Sequence, residues 1–329
     1  MAALCLSVFL ISAGTVSFAQ SDPSARGAML FAVSGCANCH TDTKKKGKQL
    51  AGGHTLKTPF GTFYSPNISA DKTHGIGGWS DDDFIRAMRN GKAPDGGDYF
   101  PVFPYTSFTN MTDADLKAVK AHIFTLPAVA QPNKPHDVGF PFNIRFSQFF
   151  WKLLFLTKGP YRPDPSKSPE WNRGAYLSNA VAHCGECHTP RNALGGLDRD
   201  RWLTGTEKGE GPEGLAVPNI TPDPDVGIGK WSIEQITEYL GSGELPDGDY
   251  AGSLMAEVIE DGTDKLGKSD RRAIAVYIKS LSPRLWFSFV TFSWASFAGG
   301  GAWQDRMICP GRLHRVIPWT TIIRDRSEF

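Results

Sequence analysis

The chain has 329 residues, with 35 Lys and Arg against 34 Asp and Glu, a net charge of +1. Hydrophobic residues make up 40% and charged residues 21%, which suits a globular chain long enough for two domains. So even a balance excludes the strong positive field of a nucleic-acid-binding protein, and the one dense basic run, Lys44 to Lys48, reads as a solvated loop.

Residues 2–16 form an apolar run of the length of a signal-peptide core, too short to span a bilayer comfortably. Ser17-Phe18-Ala19 then supplies a small-residue cleavage site. No Lys or Arg precedes Arg26, so a basic n-region is missing and an anchor is the competing reading. The expectation is an export signal over residues 1–19.

The remainder repeats itself. Pro66–Ser69 (PNIS) matches Pro218–Thr221 (PNIT), Gly75–Ser80 (GIGGWS) matches Gly227–Ser232 (GIGKWS), and Pro94–Tyr99 (PDGGDY) matches Pro246–Tyr250 (PDGDY). One repeat is placed at 24–127 and the other at 171–283. Each reads as short helices joined by Gly- and Pro-rich loops, with no alternation that demands a sheet. In the first repeat, Ser80 caps a helix with Asp83 at its third position and Gly91 as the stop; Thr112 and Asp115 open a last helix whose inner face carries Leu116, Val119 and Ile123. In the second, Ser232 and Gln235 form a capping box for a helix ended by Gly241. A last helix follows Ser269, with Ile274, Tyr277, Ile278 and Leu281 on one side. Between the repeats, residues 128–170 hold too many aromatic side chains for a flexible linker and read as an ordered strap across both domains. A membrane-surface helix at residues 146–156 is the alternative.

Both repeats contain Cys-x-x-Cys-His: CANCH at residues 36–40 and CGECH at residues 184–188. This is the attachment signal of c-type haem. Two thiols add to the two vinyl groups on one side of a porphyrin, and the adjacent histidine reaches the iron. Cys36, Cys39, Cys184 and Cys187 are therefore the expected covalent anchors of two haem c groups, with His40 and His188 as axial ligands. A redox dithiol would need a βαβ setting, and a zinc site would not require a histidine after each pair. The fold expected is all-α: two tandem class I cytochrome c domains, an internal duplication, joined by the aromatic-rich linker.

Such a domain usually adds a methionine as sixth ligand from a later loop. In the second repeat this is Met255, the one methionine between its motif and its last helix. At the matching place the first repeat has Phe103, which cannot ligate iron. Met111, from a longer loop, another side chain such as His54 or His74, or an iron without a sixth protein ligand all remain open. Without a thioether the first haem would sit at lower potential than the second.

Trp171–Leu177 (WNRGAYL), residues 183–196 (HCGECHTPRNALGG), Pro141–Arg145 (PFNIR) and residues 103–118 (FPYTSFTNMTDADLKA) together resemble the cytochrome c subunits of membrane-bound periplasmic alcohol, gluconate and aldehyde dehydrogenases. The resemblance implies haem ligation by the residues named, and a quinoprotein, flavoprotein or molybdenum-type catalytic subunit as electron donor. It implies delivery to a respiratory-chain acceptor (quinone, oxidase or soluble cytochrome) and a periplasmic location, with inner-membrane anchoring. Many relatives carry a third haem domain, whereas residues 284–329 hold no third motif. Residues 285–303 are uncharged and Arg306, Arg312 and Arg315 follow, as in a C-terminal anchor; an aberrant tail is the equal alternative. The competing function is a dihaem oxidoreductase acting on a small sulfur compound or peroxide at an unusually ligated first haem. Nothing in the sequence offers an acid–base pair or nucleophile for an organic substrate, which favours the electron carrier.

Overall fold

A computed structural model describes residues 23–283 of the chain. The expected export signal and the tail beyond residue 283 lie outside them. Among the described residues no helix is long and apolar enough to cross a membrane.

In the first half, α1 (Pro23–Val33) leads into the motif helix α2 (Cys36–His40). The helices α3 (Asp81–Asn90), α4 (Tyr105–Phe108) and α5 (Asp113–Ile123) follow. In the second half, α7 (Pro169–Tyr176) leads into the motif helix α8 (Gly185–His188), followed by α9 (Ile233–Ser242), α10 (Ser253–Glu260) and α11 (Lys268–Lys279). The helix α6 (Ser147–Phe155) lies between them.

Capping follows the sequence pattern. Ser80 accepts from the Asp83 amide while the Asp83 carboxylate accepts from the Ser80 amide, closing a full capping box on α3, and Gly91 ends the helix at φ 58°. Ser232 and Gln235 close the same box on α9. The stop there is Gly243, at φ 76°, rather than Gly241. Gly241 stays helical, because only the residue at Gly243 has to turn left-handed for its amide to reach the Tyr239 carbonyl. Thr112 caps α5 by accepting from the Asp115 amide. The last helix of the second half begins one residue before Ser269, after Gly267.

The expectation of no sheet is corrected by three short strands. β1 (Thr55–Thr58), β2 (Gly61–Tyr64) and β3 (Asp137–Val138) form an antiparallel sheet in that order. Four-residue strands leave too short an alternation to read in the sequence.

The two halves repeat one packing scheme. α1 crosses α5, and α7 crosses α11. A glycine permits each close approach: a Cβ at Gly27 would lie 2.3 Å from the Ala118 carbonyl oxygen, and one at Gly174 would lie 1.9 Å from that of Ala273. An ion pair locks each crossing. The Arg26 Nε donates to Asp115 at 2.6 Å, and Arg173 donates twice to Asp270, at 2.9 and 2.7 Å. The buried side chains of both halves run together into one core, from Leu30 and Leu116 to Leu177 and Ile274. Across the junction, the Tyr176 hydroxyl donates to the fully buried Asp115 at 2.5 Å and accepts from the Thr112 amide at 3.2 Å.

α6 is held to both halves. Lys152 is buried with Asp98, to which it donates at 2.7 Å, and its ammonium also donates to the Gly91 carbonyl at 2.6 Å. Burial pushes the Asp98 carboxyl up, but hydrogen bonds from Lys152 and Lys92 outweigh it and keep Asp98 below the usual carboxylate range. Removing one partner of such a buried pair costs about 3–5 kcal/mol, because the other charge stays buried alone. On the other side, the Trp151 indole donates to the Leu194 carbonyl at 2.8 Å.

Candidate haem-attachment site

The two Cys-x-x-Cys-His segments fold alike because the residues around them do. Each is a single helical turn entered through a left-handed residue, Gly35 at φ 60° and His183 at φ 39°. At the exit, Thr41 accepts from the Leu50 amide at 3.2 Å, and Thr189 accepts from the Leu203 amide at 3.0 Å. The histidine carbonyls receive the amides of Gly52 and Gly205, both at 2.8 Å. Leu50 and Leu203 are themselves left-handed, at φ 60° and 62°, and both are buried. A left-handed leucine costs about 1–3 kcal/mol and survives where its surroundings hold it. Here it is held by the threonine hydroxyl and by an amide of the next loop, Ile68 on the Leu50 carbonyl and Ile220 on that of Leu203, each at 3.0 Å.

That next loop carries the proline that orients the histidine. The Nδ1–H of His40 donates to the Pro66 carbonyl at 2.7 Å, and that of His188 donates to the Pro218 carbonyl at 2.8 Å. Burial holds both imidazoles below the ordinary histidine range, so both are neutral at pH 7. With Nδ1 committed as donor, the Nε2 lone pair is the free one, and the ring is fixed in direction. The repeated PNIS and PNIT words mark these loops in the sequence; the proline carbonyl as histidine partner is legible only in three dimensions.

The four cysteines are unpaired. Burial, assisted by Cys39, pushes the Cys36 thiol up to about 12, and burial pushes Cys184 up to about 11. Cys187 goes up to about 12 through burial first and then the Glu186 carboxylate, with Cys39 close enough to contribute. Among the described residues no cluster of three or more His, Cys, Asp or Glu side chains could hold a metal ion unaided.

A single cavity of about 1850 Å³ reaches both motifs. Cys39, Cys184 and Cys187 line it, and so does Met255, while Cys36, His40 and His188 are not among the lining residues. The second half adds an apolar wall that includes Ile220, Trp231, Tyr239 and Ile274. The space exceeds the roughly 300–1,000 Å³ of an ordinary small-ligand pocket, and suits large, flat, apolar groups. Thiols at the wall, neutral imidazoles with Nε2 free and a thioether in the lining make a donor set that fits haem c.

Met111 lies elsewhere. It does not line this cavity and is fully buried in the core, immediately before the Thr112 cap, in the position of a hydrophobic staple. Its counterpart is Leu266, which is equally buried and directly precedes the cap of α11. Phe103 packs edge-on to the rings of Tyr99 and Tyr105 and tilted against Phe108. His54 lines the cavity from the loop that joins the first motif to Pro66.

The cytochrome c family model matches residues 24–127. A dihaem c-type cytochrome of Cereibacter sphaeroides is 46% identical over 78% of this chain and 85% of its own length. The fructose dehydrogenase cytochrome subunit of Gluconobacter japonicus is 38% identical over 85% of this chain and 59% of its own. The gluconate 2-dehydrogenase cytochrome c subunit of Pantoea cypripedii is 35% identical over 84% and 65%. The chain thus spans about three fifths of the length of these two dehydrogenase subunits.

Proposed function

This chain belongs to the dihaem c-type cytochromes, and on that premise we propose that it carries electrons from the catalytic subunit of a periplasmic dehydrogenase to an acceptor of the respiratory chain. In this reading it is two tandem class I cytochrome c domains, 24–127 and 171–283, joined by an ordered linker over 128–170. Cys36 and Cys39 hold one haem c, Cys184 and Cys187 the other. When bound, each haem supplies a one-electron iron couple and needs no substrate pocket.

The protein's own residues set the conditions for that chemistry. His40 and His188, their rings aimed by the Pro66 and Pro218 carbonyls, would present Nε2 to the iron. Met255, on the cavity wall, would offer its thioether to the iron of the second haem. The core position of Met111, matched by Leu266, supports packing rather than ligation there. The apolar lining would exclude water from a bound haem. The recurrence of the same histidine–proline geometry at two motifs on one cavity carries the reading most strongly. The dehydrogenase partner rests on the relatives, which are named as fructose and gluconate dehydrogenase subunits.

The test is reduction by a partner. The holoprotein is purified with any co-isolating dehydrogenase subunit, sugar and alcohol substrates are added, and the haem absorption bands are followed. Both haems are expected to become reduced only when the catalytic subunit is present. Substrate or peroxide turnover by the isolated chain, with ready cyanide binding, would contradict the carrier reading.

A further inference from the structure

The third residue of each motif, Asn38 in CANCH and Glu186 in CGECH, belongs to neither the thiols nor the histidine. In both halves that residue reaches across to the other half. The Asn38 side-chain amide donates to the Asp261 carboxylate at 2.8 Å, just beyond α10, the helix that carries Met255. Glu186 accepts from the Thr106 and Ser107 hydroxyls of α4 at 2.8 and 2.6 Å, just beyond Phe103. Its other oxygen accepts from Arg191 at 2.6 Å. The two contacts are reciprocal: each motif is tied to the opposite half next to the place where the sixth-ligand loop ends.

The two contacts differ in weight. The Glu186 side chain is buried and has hydrogen bonds on both oxygens, one from the Arg191 guanidinium. The Asn38 bond is exposed and competes with water. Between them the starts of the two motifs meet directly, with the His183 ring nitrogen 3.3 Å from the Ser34 carbonyl oxygen and its ring edge-on to Phe108 at 5.3 Å. Cys39 and Cys187, the residues that follow the two braces, line the same cavity.

We infer that Asn38 and Glu186 are positioning residues that cross-brace the two motifs, holding the two haems as one pair at a fixed separation so that an electron entering either half passes directly to the other. This rests on the two-haem reading above. The step moves one electron from the reduced half to the oxidised half; no bond forms or breaks and no proton is taken up. Because the brace acts at the attachment turn itself, a small loosening there would shift a haem attached to that turn.

The test uses the full matured holoprotein. Haem content is first read from the intact mass, then one electron is injected rapidly and its redistribution between the haems is followed by absorption. Glu186→Ala, and separately Thr106→Val with Ser107→Ala, are expected to slow redistribution by about tenfold, as small misplacements of reacting groups do. Glu186→Gln, which keeps an acceptor oxygen towards the hydroxyls, restores most of the rate. The Thr106/Ser107 variant leaves the motif untouched and decides the matter if Glu186→Ala fails to mature. Native protein lacking either haem would sink the two-haem reading, and this inference with it. Full haem content with unchanged redistribution in the variants would overturn this inference alone. Slowing by Glu186→Ala that the hydroxyl deletions do not reproduce would assign the effect to charge and likewise overturn the brace.

Discussion

Replacing Cys184 and Cys187 together by serine is expected to halve the covalent haem of the protein, leaving only the group attached at Cys36 and Cys39. Among the described residues these two thiols are the only cysteines of that half. The damage should extend to the fold. The apolar wall around Ile220, Trp231 and Tyr239 faces a cavity in which a haem supplies the missing packing partner. Without it, a large apolar surface is exposed to water, at about 25 cal/mol per Å². The variant should therefore show half the haem absorbance per polypeptide on denaturing extraction and an earlier thermal transition for the second half. The mirror variant, Cys36→Ser with Cys39→Ser, should keep the other haem. Two haems per chain in either variant would contradict the assignment.

The second large effect concerns potential. Met255→Ala is expected to lower the midpoint of one haem by on the order of 0.1 V, within the ~0.8 V that axial ligands span. Loss of the thioether removes a ligand that favours the ferrous state. Met111→Leu is expected to move neither midpoint, because Met111 occupies the core position that Leu266 fills in the other half. Native protein should then show two separated midpoints in a redox titration, the lower in the half that has Phe103 where the other has Met255, giving a downhill step from the first motif to the second. Two indistinguishable high midpoints, or a fall on Met111→Leu, would place a thioether on both irons.

Much of this was legible in the sequence, for identifiable reasons. The helix starts at Ser80, Thr112 and Ser232 were readable because a cap is local: the donor and acceptor lie three residues apart. The motifs were readable because thioether attachment demands fixed spacing. The three-stranded sheet was not, since its strands are short and β3 pairs with a segment more than seventy residues earlier. The contacts of Asp115 with Tyr176 and of Glu186 with Thr106 and Ser107 join residues 61, 80 and 79 positions apart. No periodicity announces such pairs. The core role of Met111 was hidden for a subtler reason. Aligning the repeats through Phe103 and Met255 invites a search for the nearest methionine, whereas the helix crossings align Met111 with Leu266. Nothing local in CGECH marks Glu186 as the partner of α4, which lies 79 and 80 positions earlier.

The account stands on two haems carried covalently by one polypeptide. The most direct measurement is the intact mass of the full chain under denaturing conditions, after production in a host that attaches haem to Cys-x-x-Cys-His sequences. The predicted mass is that of the polypeptide with two haem groups added, falling to one when either cysteine pair is replaced. A native polypeptide carrying no haem, or only one, would contradict it.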